Sequence, residues 1–143
     1  MSAIRPVLHH IALTVTDLDK SIPWYEKVFA IRYEADAPHE GGMGKLLTDD
    51  DWRVVIVLHR HDGNRGEEFA EMRTGLDHVG FMVNSRSELE AWQDSLEESG
   101  VIRAEAADRP LTQSPIADTD YGSILVFRDP DNIQLEIYAP PGT

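Results

Sequence analysis

Two histidines and one glutamate have the types and spacing that could support chemistry in this sequence. His10 and His78 lie 68 positions apart, each near the start of an alternating apolar segment, and Glu136 interrupts an apolar segment close to the end of the chain. Two imidazoles and one carboxylate can hold a divalent metal while leaving coordination positions open for substrate or water. We therefore predict that these three residues are metal ligands.

The sequence pattern around His10 is repeated around His78. A shift of 68 positions superimposes the first copy on the second, with His10 on His78, Val15 on Val83 and Trp24 on Trp92. Because the register holds from the strand into the following helix, we interpret the pattern as a duplicated strand–helix unit. Taken singly, either histidine is better interpreted as a half-buried strand residue with a hydrogen-bond partner, and Glu136 as a residue that faces solvent. The duplication favours the metal site.

The duplicated units predict an α+β protein of two modules in one domain, residues 1–143. Alternating segments predict strands at 7–15, 31–35, 45–48 and 53–59, with a helix after Asp17. The second copy predicts a strand from Leu76, a helix after Ser85, and strands near 103–107, 121–127 and 133–138. Modules at about 5–60 and 76–140 would be joined by a polar linker near 61–75. The predicted fold is a curved mixed sheet around a cup, with the helices on its outer face.

Further side chains could serve the same cup. His59 lies on the strand face that corresponds to the one carrying Glu136, so we expect a general base or a further metal ligand there. Tyr121 and Tyr138 are expected on strands near the cup, where they would contact a substrate. His39 is expected in a glycine-rich turn and His61 beyond a strand end, both solvated.

The charge of the chain limits its partners. Acidic residues outnumber basic ones, 26 to 13, which gives a formal net charge of -13. Nucleic acids and anionic membranes would be repelled by this charge, whereas a cationic ligand would be attracted. The sequence contains no cysteine, which excludes thiolate ligands and disulfides, and no apolar segment of membrane-spanning length. We expect a cytoplasmic protein.

Three segments resemble the vicinal oxygen chelate superfamily, which includes glyoxalase I, bleomycin- and fosfomycin-resistance proteins and extradiol dioxygenases. They are residues 10–21, 77–81 and 128–136, the last reading Arg-Asp-Pro-Asp-Asn-Ile-Gln-Leu-Glu. The resemblance implies paired βαβββ modules and places the family's metal positions on His10, His78 and Glu136. It also implies a divalent ion (iron, manganese, zinc or nickel), a small-molecule substrate and a homodimer.

One departure from the superfamily pattern bears on the reaction. Glyoxalase I has a further glutamate or glutamine ligand on the fourth strand of its first module, and residues 53–58 supply none, which leaves His59 as the substitute. Three ligands are more similar to the dioxygenase or thiol-transferase branches. The resemblance therefore implies a metal-dependent dioxygenase-like or glyoxalase/lyase-like enzyme acting on an oxygen-rich substrate. The alternative is a metal-free antibiotic-binding protein of the bleomycin-resistance type.

Overall fold

The computed structural model describes residues 3–142 of the chain. Contacts divide these residues into two compact units, with the boundary between Arg65 and Gly66, inside the predicted linker segment. Neither of the helices in the described part of the chain is long and apolar enough to cross a membrane. The α+β class predicted from the sequence is confirmed, and the strands lie in two mixed sheets, one in each unit.

The first unit has the predicted order of strand, helix and three strands. It contains β1 (Ile11–Thr14), α1 (Leu18–Phe29), β2 (Arg32–His39), β3 (Gly42–Thr48) and β4 (Val55–His61). The sheet order is β1-β4-β3-β2, in which β1 runs parallel to β4 and the other neighbours are antiparallel.

The helix of the first unit covers one face of its sheet. Asp17 caps α1 by accepting a hydrogen bond from the Asp19 N–H, and the helix ends at Ala30 in the left-handed conformation. Tyr25 on the helix and Leu58 on β4 are fully buried, because the apolar stripe of α1 packs against this side of the sheet. Residues that alternate with the buried ones therefore project from the opposite face.

The second unit repeats this plan with additional short strands. It contains β5 (Val79–Met82), α2 (Arg86–Glu98), β6 (Ile102–Arg103), β7 (Thr112–Gln113), β8 (Ala117–Thr119), β9 (Gly122–Arg128) and β10 (Gln134–Ala139). The sheet order is β5-β10-β9-β7-β6, with β8 paired to β9. Ser85 caps α2, while Leu135 and Ile137 of β10 are fully buried on the helix-covered side. Glu136 consequently projects from the other face.

Several strand boundaries differ from the sequence prediction. β2 is longer than predicted and includes His39, and β4 is displaced by two residues and includes His61, because both strands pair with β3 as far as Gly42. The strand predicted near 103–107 is reduced to β6, and β7 and β8 were missed because two or three residues carry too little periodicity. The strand predicted from Tyr121 begins at Gly122, and Tyr121 lies in the preceding turn.

Candidate functional site

His78 and Glu136 meet in the second unit. His78 immediately precedes β5, and Glu136 lies on the neighbouring strand β10, opposite Gly80 in the parallel register. The Nε2 atom of His78 lies 2.8 Å from a carboxylate oxygen of Glu136. The Glu136 side chain is 18% exposed and that of His78 is 42% exposed, so the pair lies at the surface of this face. A Cβ atom built on Gly80 would lie 3.8 Å from Oε2 of Glu136, so the glycine lies directly beside this carboxylate.

A chain of hydrogen bonds holds His78 from its other side. The Nδ1 atom of His78 lies 2.7 Å from Asp77, whose carboxylate also accepts a hydrogen bond from the Gln134 amide. The Gln134 oxygen accepts in turn from Arg128, a buried guanidinium that donates two hydrogen bonds to Glu71. Because a carboxylate accepts and does not donate, the contact with Asp77 places a proton on Nδ1 and fixes the ring orientation, whereas the contact of Nε2 with Glu136 requires either a second proton or a cation between the two atoms.

Glu71 lies in the segment that the sequence predicts to be a linker. Hydrogen bonds from Arg128 lower the pKa of Glu71 to about 2. Nearby, the Phe69 N–H donates to the carbonyl oxygen of Asp131. The later part of this segment is thus attached to the second unit through charged and backbone groups, which hydrophobic periodicity does not reveal.

His10 occupies the equivalent position of the first unit. It immediately precedes β1, as His78 precedes β5, and its Nδ1 atom lies 2.9 Å from that of His9. Two residues further on, Ala12 pairs with Val57, just as Gly80 pairs with Glu136. Val57 is therefore the internal counterpart of Glu136, and the first unit has no carboxylate at that position.

Three histidines of the first unit form a cluster that was not expected from the sequence. His39, His59 and His61 each offer a nitrogen, and these atoms all lie within 4.8 Å of one another. The ring centroid of His39 lies 5.1 Å from that of His59 and 4.9 Å from that of His61. We refer to these three residues as the histidine cluster.

The strand register explains why the cluster forms. Gly42 of β3 pairs with His39 on one side and with His61 on the other, while the neighbouring Gly44 pairs with His59. Paired residues of adjacent strands project from the same face, as do residues two apart on one strand. All three imidazoles therefore lie on the face that α1 does not cover.

Two imidazole nitrogens of the cluster are buried without a hydrogen-bond partner. They are Nε2 of His39 and Nδ1 of His59. The Nδ1 atom of His39 lies 3.1 Å from the Glu40 carbonyl oxygen, which can only accept, so Nδ1 carries the proton and Nε2 presents its lone pair. Burial lowers the pKa of His59, and the neighbouring imidazoles lower it further. A pocket of about 390 Å³ opens beside the cluster and is also lined by Ala12, Thr14 and Ala37.

Comparison with known protein families identifies the fold. The model of the Glyoxalase/Bleomycin resistance protein/Dioxygenase superfamily matches residues 7–137. This chain belongs to that superfamily. The resemblance drawn from three short segments is thereby confirmed over almost the whole chain.

Several similar proteins match nearly the full length of this chain. A glyoxylase/bleomycin resistance protein/dioxygenase domain from Frankia sp. EAN1pec is 30% identical, with a TM-score of 0.82, and the match covers 98% of this chain and 96% of that one. The uncharacterised protein YqjT of Bacillus subtilis is 24% identical, with 93% and 98% covered. A mutant of the fosfomycin resistance protein FosX from Listeria monocytogenes, complexed with Mn(II) and 1S,2S-dihydroxypropylphosphonic acid, shares the fold at 18% identity and a TM-score of 0.61, with 96% and 94% covered.

The predicted site residues of this superfamily member are distributed over both units. His78 and Glu136 are brought together in the second unit, whereas His10 and His59 belong to the first. The Tyr138 hydroxyl donates a hydrogen bond to the Tyr121 carbonyl oxygen at 2.6 Å, so this hydroxyl already has a partner in its own unit. One sequence pattern is consistent with the histidine cluster. His59 and His61 are two positions apart on β4, and Gly42 and Gly44 are two positions apart on β3, the preceding strand.

Proposed function

We propose that this chain is a divalent-metal-dependent enzyme of its superfamily that acts on a small, oxygen-rich molecule. His78 and Glu136 would be two protein ligands, and His10 the third. The observation that carries the proposal is the 2.8 Å separation of His78 Nε2 from the Glu136 carboxylate, with His78 Nδ1 directed at Asp77.

The electron pairs of the two groups explain why this separation favours a cation. With the proton on Nδ1, the Nε2 lone pair faces a carboxylate oxygen, and two electron-rich atoms repel each other unless a cation or a second proton lies between them. Imidazole nitrogens and carboxylate oxygens bind divalent ions at about 2.0–2.2 Å, which places adjacent ligands about 3.4 Å apart in a tetrahedral site and about 3 Å apart in an octahedral one. The observed separation of 2.8 Å is close to the octahedral value and so suits two ligands of a shared ion.

The surroundings of His78 suit a metal ligand as well. Metal-binding histidines commonly donate their second ring N–H to a carboxylate, which fixes the tautomer and increases the basicity of the ligand. Asp77 provides this carboxylate, and the Gln134 amide holds Asp77 in place. The net charge of -13 also favours a bound cation.

His10 is proposed as the third ligand from its place in the duplicated unit. Both histidines directly precede the strand that pairs in parallel with the last strand of their unit. Val57 stands where a fourth ligand would lie, which supports a set of three. His59 lies two residues beyond Val57 in the histidine cluster, and we do not assign it to this site.

A bound divalent ion would act as a Lewis acid that polarises a carbonyl or enolate oxygen of the substrate. The residues of this chain would hold and orient its ligands, with Asp77 retaining the proton on His78 Nδ1. The FosX complex with Mn(II) and a dihydroxypropylphosphonic acid supports a small oxygen-rich ligand beside a metal in this fold. The proposal includes a homodimer, which the resemblance implies, and a cytoplasmic location, which is expected from the sequence.

Elemental analysis of the purified full-length protein tests this function. We expect divalent metal to be retained by the wild type and by Glu98→Gln, an exposed control on α2, and to be lost at this site in Glu136→Gln and His78→Ala. Oxygen consumption with catechols and isomerisation of hemithioacetals would then separate the dioxygenase-like reaction from the glyoxalase-like one. Tight binding of a basic bleomycin-type drug that a chelator does not diminish would contradict the enzyme proposal and favour a metal-free binding protein.

A further inference from the structure

We propose that the histidine cluster, formed by His39, His59 and His61, is a second binding site for a divalent cation. It shares no ligand with the site proposed for His10, His78 and Glu136. Its three candidate nitrogens lie within 4.8 Å of one another and come from β2 and β4, which flank β3. A sheet is a rigid support, so the backbone positions of all three ligands are fixed before any ion binds.

The distances allow one ion to reach all three imidazoles. Nitrogens bound at 2.0–2.1 Å in a tetrahedral site lie about 3.4 Å apart, so nitrogens separated by as much as 4.8 Å must approach one another by up to about 1.4 Å. His61 is exposed at the end of β4, where its side chain can rotate to close this gap. His39 and His59 are half-buried and would form the fixed part of the site.

The unpartnered nitrogens indicate that the cluster is built to bind a ligand. Buried polar atoms are nearly always hydrogen-bonded, because desolvating them without a partner costs free energy. Nε2 of His39 and Nδ1 of His59 are both buried and lack a partner. The Glu40 carbonyl fixes the His39 tautomer that leaves Nε2 free to bind a metal, as the second hydrogen bond of a metal-ligating histidine does.

The glycines of β3 leave the space that the imidazoles occupy. A Cβ atom built on Gly42 would overlap Cε1 of His39 and the carbonyl oxygen of Arg60, and one built on Gly44 would lie 2.7 Å from Cε1 of His59 and 2.9 Å from the carbonyl oxygen of Ala37. A side chain at either position would therefore displace an imidazole ring, the neighbouring backbone or both. By contrast, Gly63 has nothing within 4 Å of the corresponding point.

The ligand set indicates which cations would bind. Three imidazoles without a carboxylate suit Zn²⁺, Co²⁺, Ni²⁺ or Cu²⁺, whereas Mg²⁺ and Ca²⁺ prefer oxygen ligands. Three protein ligands leave a fourth tetrahedral position for water or for an oxygen of a small molecule. The adjoining pocket of about 390 Å³ would provide access to that position.

Titration of the metal-free, full-length protein with Zn²⁺ and Co²⁺, in competition with a chromophoric chelator, tests this proposal. We expect Zn²⁺ affinity at one site to fall at least tenfold in His39→Ala and in His61→Ala, since losing even an outer-shell partner typically costs 10–100-fold. Gly44→Ala should weaken the same site, and Gly63→Ala should leave it unchanged. Circular dichroism checks the fold of each variant, and His61→Ala, at an exposed strand end, keeps the test decisive if another variant unfolds.

This experiment can contradict either of the two proposed sites independently of the other. If Glu136→Gln and His78→Ala bind Zn²⁺ as the wild type does while His61→Ala loses one site, the histidine cluster is supported and the proposed function is contradicted. If folded His39→Ala and His61→Ala both retain the wild-type stoichiometry and affinity, the cluster is not a metal site and this proposal is overturned, whatever the result for Glu136→Gln.

Discussion

The Asp77 carboxylate lies 2.7 Å from Nδ1 of His78, so the imidazole is held at one nitrogen while its other nitrogen faces Glu136. Asp77 and His78, although adjacent, therefore have different roles. In the proposed site, His78 would bind the ion through Nε2, and Asp77 would hold the proton on Nδ1.

Asp77→Asn should weaken metal binding at the His78 site about tenfold or more without changing its stoichiometry. An amide can still accept the hydrogen bond, but it lacks the charge that increases the basicity of the imidazole. The dissociation constant for Mn²⁺ or Zn²⁺ measures this effect, with Asp108→Asn as an exposed control from the same unit. An unchanged affinity would show that Asp77 does not support a bound ion.

Glu71→Gln should lower the free energy of unfolding. It should also make that free energy less dependent on pH under acid conditions. The pKa of Glu71 is lowered from 4.5 to about 2 by Arg128, so the folded state favours the charged form. The resulting stabilisation is complete above about pH 5 and is lost as the pH falls through 4.5 towards 2. We expect a loss of about 1–2 kcal/mol at pH 7, from urea denaturation. The difference from wild type should shrink at pH 3, and a constant difference would contradict this origin.

Asp129→Ala should destabilise the second unit by about 2–4 kcal/mol. Asp129 is fully buried, and its Oδ1 atom accepts hydrogen bonds from the backbone N–H groups of Asp131 and Ile133 at 2.8 Å each. Removing the carboxylate leaves both donors without this acceptor. Asp129→Asn keeps an oxygen at the same place and should cost less. Equal losses for the two variants would show that these hydrogen bonds do not stabilise the turn before β10.

Tyr138→Phe should lower the free energy of unfolding by about 1 kcal/mol and leave metal binding unchanged. The Tyr138 hydroxyl donates to the Tyr121 carbonyl oxygen and so supports the turn before β9. Urea denaturation of this variant measures the loss of stability, and metal titration of the same variant measures its affinity for the ion. An unchanged stability with impaired substrate turnover would instead favour the substrate contact expected from the sequence.

The duplication made one half of the candidate site predictable. Because His10 and His78 share a register, the sequence predicted that they occupy equivalent positions, although it placed both inside strands that, in the structure, begin one residue after each histidine. The alternation of the closing segment likewise placed Glu136 on the face opposite the helix. The meeting of His78 with Glu136 agrees with these two local patterns.

The histidine cluster was not predicted because it depends on pairing between strands. His39 and His61 stand in polar, glycine-containing segments that are typical of turns, and no local pattern shows that both pair with Gly42. The bond between Arg128 and Glu71 joins residues 57 positions apart and was hidden for the same reason. Periodicity reports which face a residue occupies, but it does not report the register between strands.

The central claim is that one cation binds between His78 and Glu136. Crystals of the protein grown with saturating Mn²⁺ or Zn²⁺ test it most directly, by anomalous scattering at the metal absorption edge. The account predicts a peak about 2.0–2.3 Å from His78 Nε2 and from a Glu136 carboxylate oxygen, with His10 completing the ligand set. A metal-loaded crystal with no peak between His78 and Glu136 would contradict it.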